Sequence, residues 1–304
     1  MVVGMDSFGT TISLVALAAG LVALAAVTDK RHKRLRMRLE RAGKREGEFL
    51  HLLKAWYVRR AEALVAGAGR TPRMPIEFRS QTGEDLFLHE LLAEERPGGR
   101  LDGFFIEVGG YDGYTFAATY ALESMGWTGL VIEPVPELFE SCVRRRPGSR
   151  VVRAALSRRG SSGTARFAHV SGSGRRYDAL SHLVEKAEGP TKRVPKAGVT
   201  MIEAPLTTMD DLLREHRGPI DVAVIDVEGG ELDLLDGFDV DRFRPRLLLV
   251  EDHRQGVSPL ARWLDSKGYE HAAWVAHNRL FVRRDEPALL ERARRLAQHS
   301  GDAQ

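Results

Sequence analysis

Four apolar runs in this chain end on a carboxylate: Phe104-Phe-Ile-Glu107, Leu130-Val-Ile-Glu133, Val222-Ala-Val-Ile-Asp226 and Leu247-Leu-Leu-Val-Glu251. A buried strand that ends on an acid places that acid at the carboxyl edge of a sheet, where open α/β sheets bind ligands. The first run continues into Glu107-Val-Gly-Gly-Tyr-Asp-Gly113. Its glycines allow a sharp turn and a close backbone approach to a ligand. Glu133, 26 residues beyond Glu107, is placed to accept hydrogen bonds from two ribose hydroxyls, as acidic strand ends do in doubly wound folds. Asp226, Glu228, Glu251 and His253 converge on the same edge, which gives a set of groups suited to acid–base work.

The loop chemistry narrows the ligand. Gly109-Gly-Tyr-Asp-Gly113 is not Gly-x-Gly-x-x-Gly, and no glycine loop runs into Gly-Lys-Ser/Thr, so neither dinucleotide nor Walker phosphate chemistry is signalled. Glu107 and Asp112 would repel a pyrophosphate. They suit a ligand with a cationic amino-acid portion and a ribose, and S-adenosylmethionine has both. The expected cofactor contacts are Glu107, Gly109, Asp112, Gly113 and Glu133. A base for a hydroxyl proton would come from Asp226, Glu228 or His253. No metal-site motif is signalled; Asp226, Glu228 and Glu251 are the oxygen ligands available if a divalent cation is used. The plainer readings are that His253 pairs with a carboxylate, that Glu231 is a helix-start charge and that Asp252 is solvated. The single cysteine, Cys142, excludes an internal disulfide and a cysteine zinc site. Its helical setting predicts a half-buried, inert thiol.

Alternating strands and helices must position these groups. Strands are predicted over 103–108, 129–133, 151–157, 221–226 and 246–253, with helices over 115–125, 137–145 and 259–268 between and after them. That alternation argues for a parallel sheet with helices on both faces. Strands over 271–276 and 279–282 then form a closing hairpin, and a basic helix spans 286–298. Thr82 is predicted to cap a helix that Asp85 favours at its start, while Gln81 has no structural assignment. Thr208 opens a short capped helix. Residues 158–200 are weakly patterned, with short strands at 163–170 and 199–204 around a mobile loop; His169 and His182 fall in this stretch and read as exposed loop histidines and not catalytic ones. Long irregular insertions of this kind are often lids or substrate loops.

The N-terminal third has a different character. Residues 7–28 carry no charge and are almost wholly apolar, and Lys30, Arg31, Lys33, Arg34, Arg36 and Arg38 follow. The length suits a membrane-spanning helix, and the basic flank places the rest of the chain on the cytoplasmic side. A cleaved signal peptide would carry its basic residues before the apolar core, so the order favours an uncleaved anchor. Residues 35–65 read as an amphipathic helix that lies on lipid, pairs with a second copy or docks on the domain. Residues 1–73 hold 14 Lys and Arg against 6 Asp and Glu, while the remainder holds 31 against 36. The globular part is therefore mildly acidic, which argues against nucleic-acid binding. The expected organisation is an anchor over 1–28, a basic helix and linker over 29–75, and a catalytic domain over 76–304.

Several segments together resemble the FkbM-type methyltransferases, a class I S-adenosylmethionine-dependent family. They are Ser80-Gln-Thr-Gly-Glu-Asp-Leu-Phe-Leu88, Phe105-Ile-Glu-Val-Gly-Gly-Tyr-Asp-Gly113, Gly126-Trp-Thr-Gly-Leu-Val-Ile-Glu-Pro134, Ala155-Leu-Ser157, Thr208-Met-Asp-Asp-Leu-Leu213, Ile225-Asp-Val-Glu-Gly-Gly-Glu-Leu232 and Pro245-Arg-Leu-Leu-Leu-Val-Glu251. The resemblance implies a doubly wound, mostly parallel seven-stranded sheet. It also implies Glu107, Gly109 and Gly113 as the cofactor loop, Glu133 at the ribose and Ser157 near the adenine. Arg158 stands where the family often has an acid. Asp226-Val-Glu228-Gly would line the reaction centre, and the acceptor would be a hydroxyl of a sugar, glycan or secondary metabolite. The contrasting reading is a membrane-tethered binding module of the same fold without catalysis.

Overall fold

The computed structural model describes residues 46–95, 98–170, 182–183, 199–227, 229–252, 254 and 256–301. Seven strands form the main sheet: β1 (Phe104–Val108), β2 (Thr128–Ile132), β3 (Ser149–Val152), β8 (Val222–Ile225), β9 (Leu247–Glu251), β10 (Tyr269–Val275) and β11 (Asn278–Arg283), in the order β3-β2-β1-β8-β9-β11-β10. The five strands from β3 to β9 are parallel, and β11 enters antiparallel against β9 and pairs antiparallel with β10. This is the doubly wound, mostly parallel seven-stranded sheet expected from the sequence.

The side-chain period of two divides the core into two layers. Phe105, Val131, Val222, Val224, Leu247 and Leu249 face one layer, while Ile106, Leu130, Ile132, Ala223, Leu248 and Val250 face the other. The first layer is roofed by α1 (Glu46–Gly67), α2 (Glu84–Leu88), α3 (Tyr120–Met125), α4 (Pro136–Arg145) and α9 (Pro287–Gly301). The second receives α5 (Met209–Leu212), α6 (Glu231–Asp236), α7 (Val240–Phe243) and α8 (Pro259–Ser266). Of the readings for the amphipathic segment, docking on the domain holds over 46–67. Phe49, Leu53, Trp56, Tyr57, Ala61 and Val65 are all buried in the first layer. Tyr57 also donates to Glu90 at 2.8 Å.

Among the described residues no helix is long and apolar enough to cross a membrane. The expected anchor over 1–28 lies outside the described residues, as do Glu228 and His253.

Three boundaries differ from expectation for physical reasons. The predicted helix over 115–125 begins only at Tyr120, because Asp112 holds the Tyr114 and Thr115 amides in a turn and Phe116 has a left-handed φ of 65°. The predicted strand over 151–157 is two: β3 stays in the main sheet, and β4 (Ala155–Leu156) leaves it. Thr82 does not cap a helix. Ser80 Oγ accepts from the Gly83 and Asp85 amides at 3.1 and 3.3 Å, and the helix starts at Glu84 after Gly83 at φ 96°. Thr208, by contrast, caps α5 by accepting from the Asp211 amide at 3.1 Å.

The weakly patterned insertion contains a second sheet of order β4-β7-β5-β6, with β5 (Gly163–Val170), β6 (His182–Leu183) and β7 (Val199–Thr207). The expected strand at 163–170 coincides with β5, which pairs antiparallel with β7 along its length. His169 and His182 therefore stand in strands, not in a loop.

Candidate functional site

At the carboxyl end of β1 the chain turns through Gly109, with φ 86°. A Cβ there would stand 2.2 Å from the backbone oxygen of Asp226, so only glycine lets the first loop close against the end of β8. The amides of Gly109 and Gly110 both donate to the Ile132 carbonyl at 3.0 Å, which ties the loop to the tip of β2. Gly113, with φ 77°, passes close to the Cα of Cys142 on α4. Cys142 is fully buried rather than half-buried, and its thiol donates to the Tyr111 carbonyl at 3.0 Å. Burial pushes its pKa up, so it braces the loop as an inert thiol.

Glu107 shares its strand face with Phe105, so it points into the first core layer and not out over the edge. There Arg146, itself fully buried, donates to Glu107 at 2.8 Å and to Glu123 at 2.6 Å. The Ala118 amide and the Thr119 hydroxyl complete the Glu107 carboxylate at 2.7 and 2.5 Å. Burial alone would lower the Arg146 pKa, but the two carboxylates outweigh it and hold the guanidinium charged. Asp112 is likewise committed: it accepts from Tyr114 and Thr115 amides, from the Thr115 hydroxyl and from Arg145 at 2.6 Å. Burial raises its pKa, and these hydrogen bonds more than reverse that to leave it below the ordinary value. The two acids expected to face a cationic ligand are thus bound to arginines of the chain itself.

Glu133 has the opposite setting. It is 4% exposed at the tip of β2, accepts from the Tyr111 amide at 2.8 Å and the Val135 amide at 2.9 Å, and has no ion pair among the described residues. Burial pushes its pKa up to about 8 against the lowering effect of the two amides. Each carboxylate oxygen retains a second acceptor site for an incoming hydroxyl.

Asp226 is exposed at the end of β8, where its amide donates to the Val108 carbonyl at 3.2 Å. Glu231, at the start of α6, turns back to accept from the amides of Val227 and Gly229. Glu251 is half-buried at the end of β9, opposite Asn278. Asp252 is buried and not solvated: it accepts from Ser258 and the Arg254 amide and pairs with Arg279 at 3.1 Å. Among the described residues no group of three or more His, Cys, Asp or Glu side chains could hold a metal ion; Glu228, a member of the expected set with Asp226 and Glu251, lies outside the described residues. Ser157 is half-buried and packs its carbonyl where a Cβ on Gly237 would fall, and Arg158 reaches Asp233 at 3.4 Å on the surface.

A cleft of about 360 Å³ opens beside Tyr114, lined by Met74, Tyr120, Arg144, Arg145 and Pro147. It contains no carboxylate or histidine and offers no acid–base pair.

The family profile described as the methyltransferase FkbM domain matches residues 107–271, more than half of the chain. The chain belongs to the FkbM methyltransferase family. No curated protein matches it. Among solved structures, the METTL16 methyltransferase domain is 15% identical with a TM-score of 0.35, and the match covers 66% of this chain and 64% of that one. The human methyltransferase 10 domain containing protein is 12% identical with a TM-score of 0.35, covering 66% and 80%. A TehB-like SAM-dependent methyltransferase from Corynebacterium glutamicum is 13% identical with a TM-score of 0.35, covering 75% and 96%.

Arg146 and Asn278 were not singled out by the sequence. Arg146 is the third of three consecutive arginines, Arg144 to Arg146, and nothing in the run marks the last as buried. Asn278 opens β11, and its long-range partner, Glu84, is 194 residues away.

Proposed function

We propose that this FkbM-family protein is an S-adenosylmethionine-dependent methyltransferase that acts on a hydroxyl oxygen of a sugar, glycan or secondary metabolite. The observation that carries the reading is the edge formed by β1, β2 and β8. A glycine turn there has no room for a side chain against Asp226, and a buried carboxylate without a cation stands at the tip of the neighbouring strand. That carboxyl, acceptor-only once ionised, stands beside a Cβ-free turn and fits a ribose next to a tightly held chain. When bound, the cofactor supplies a methyl group already activated on a sulfonium.

The chain's own work is then to bind, orient and accept a proton. Glu133 takes the ribose hydroxyls. The turn at Gly109 sets the distance between the cofactor loop and Asp226, so positioning provides much of the rate. Asp226, exposed at the edge, accepts the proton from the acceptor hydroxyl, and Glu228 and His253 are the alternative bases that the sequence pattern offers. Ser157 stands toward the adenine. The apolar segment before the basic run supports an anchored protein with its catalytic domain on the cytoplasmic face, near lipid-linked or membrane-proximal acceptors.

Calorimetry with S-adenosylmethionine tests the cofactor, and absence of binding would overturn the reading. Labelled cofactor incubated with a membrane-lipid extract tests the acceptor class; label found only in soluble products would count against a lipid-linked one. Asp226→Asn is expected to lower turnover at least a hundredfold with cofactor affinity within about twofold.

A further inference from the structure

The segment before α2 is fastened at both ends to the carboxyl edge of the sheet. At one end Tyr114, in the loop after β1, donates to Glu77 at 2.5 Å, and the Arg79 guanidinium lies 3.9 Å over the Tyr114 ring. At the other end Asn278, the first residue of β11, donates to Glu84 at 3.3 Å. β8 and β9 stand between β1 and β11 in the sheet, so residues 78–83 cross over the ends of those two strands. These are the ends that carry Asp226 and Glu251.

This strap is cross-braced by hydrogen bonds. Asp85 accepts from the Ser80 amide at 2.8 Å and the Ser80 hydroxyl at 2.5 Å, and Lys54 donates to the Ser80 carbonyl at 2.5 Å. Glu84 accepts from both the amide and the hydroxyl of Thr82. The turn closes through Gly83 at φ 96°. Between Ile76 and Ala93 every residue is buried or half-buried except Gln81. A turn held by this many polar contacts, with a single side chain left outward, has the construction of a binding site with a locked supporting shell.

We propose that Gln81 is the residue that contacts the amino-acid end of the bound cofactor; this rests on the cofactor reading above. With the ribose at the tip of β2 and the adenine toward Ser157, the amino-acid end runs the other way, past β1 toward β8 and beneath the strap. Glu107 and Asp112 are committed to Arg146 and Arg145, and Arg79 to Tyr114 and Glu77. Gln81 is the one exposed side chain of this segment, and its amide can donate to a carboxylate and accept from an ammonium at once.

The test uses the full chain and two probes, S-adenosylhomocysteine and 5′-methylthioadenosine, which share the adenosine and differ in the amino-acid portion. Calorimetry is expected to show Gln81→Ala weakening S-adenosylhomocysteine about tenfold while methylthioadenosine binding stays within twofold. Gln81→Glu, which replaces the amide donors with a negative charge, should weaken S-adenosylhomocysteine at least as much. Unchanged melting temperatures would show that both variants fold. Equal losses for the two probes, or no loss for either, would overturn the assignment of Gln81 and leave the cofactor reading intact. Failure of the unsubstituted chain to bind either probe would overturn the cofactor reading and this inference with it.

Discussion

Glu107 and Glu133 end adjacent parallel strands after matching apolar runs, and both are 4% exposed, yet they live in opposite electrostatic worlds. Glu107 points sideways into the core layer, where Arg146 neutralises it together with Glu123. Glu133 stands past the last residue of its strand, among backbone amides alone. The difference comes from two steps in register: Glu107 lies opposite Val131 inside the pleat and is structural, while Glu133 lies two residues beyond Val131, past the end of its strand, and is left facing the edge. A carboxylate held only by neutral donors in a buried site keeps capacity for a ligand, whereas one already paired with a guanidinium does not.

The largest expected effect tests the structural half. Arg146→Met should destabilise the fold by about 3–5 kcal/mol, because it strands two buried carboxylates without their cation. Urea unfolding monitored by tryptophan fluorescence reads this directly. A loss under about 1 kcal/mol would mean that Glu107 and Glu123 take up protons or water at little cost, and the contrast with Glu133 would collapse.

The sequence made the sheet legible because its signal is local. Apolar runs of four or five residues ending in an acid, separated by helical stretches, were enough to place β1, β2, β8 and β9. The hairpin strands at the C-terminus and β5 were legible for the same reason. The cofactor loop was legible as a turn, through Gly109 and Gly113, but the roles of its acids were not. Whether Glu107 faces a ligand or a core is decided by Arg146, 39 residues on. That arginine looks like any helix-end charge until the α4 turn carries it inward. The same limit hid the strap: the polar residues Ser80 to Asp85 read as a helix start, while the Asn278 contact that holds it over the edge lies nearly 200 residues away.

The next test addresses Glu133. Glu133→Gln should weaken S-adenosylhomocysteine by tenfold or more, since an amide can accept from the ribose hydroxyls through only one of its two terminal atoms. The pH dependence sharpens this. With the Glu133 pKa at about 8, the ionised form that accepts from both hydroxyls is the minority at neutral pH. Cofactor affinity should therefore rise with pH up to about 8 and level off above it, by at most about tenfold per pH unit for one proton. The stability linkage has the opposite sign. Because the folded pKa is raised, the stabilising contribution is fully present below the unfolded value of 4.5 and is lost as pH rises toward 8. Both slopes should vanish in Glu133→Gln; a surviving affinity slope would move the titrating group elsewhere.

The smallest effect comes from the acid between these two cases. Asp112 also has an arginine, Arg145 at 2.6 Å, but that side chain is 45% exposed where its neighbour Arg146 is fully buried. Water already solvates the Arg145 guanidinium, and Asp112 keeps the Tyr114 and Thr115 amides and the Thr115 hydroxyl when the arginine is removed. Arg145→Ala should therefore cost less than about 1 kcal/mol, and less again in high salt, where an exposed pair is screened. The Asp112 pKa is lowered, so what the pair does contribute is present above the unfolded carboxyl's pKa and disappears as pH falls through the folded one. Two consecutive arginines, each paired with an acid that flanks the same glycine turn, should thus differ severalfold in cost. If Arg145→Ala proved as damaging as Arg146→Met, burial would not be what separates them, and the sequence run of arginines would be a single structural unit.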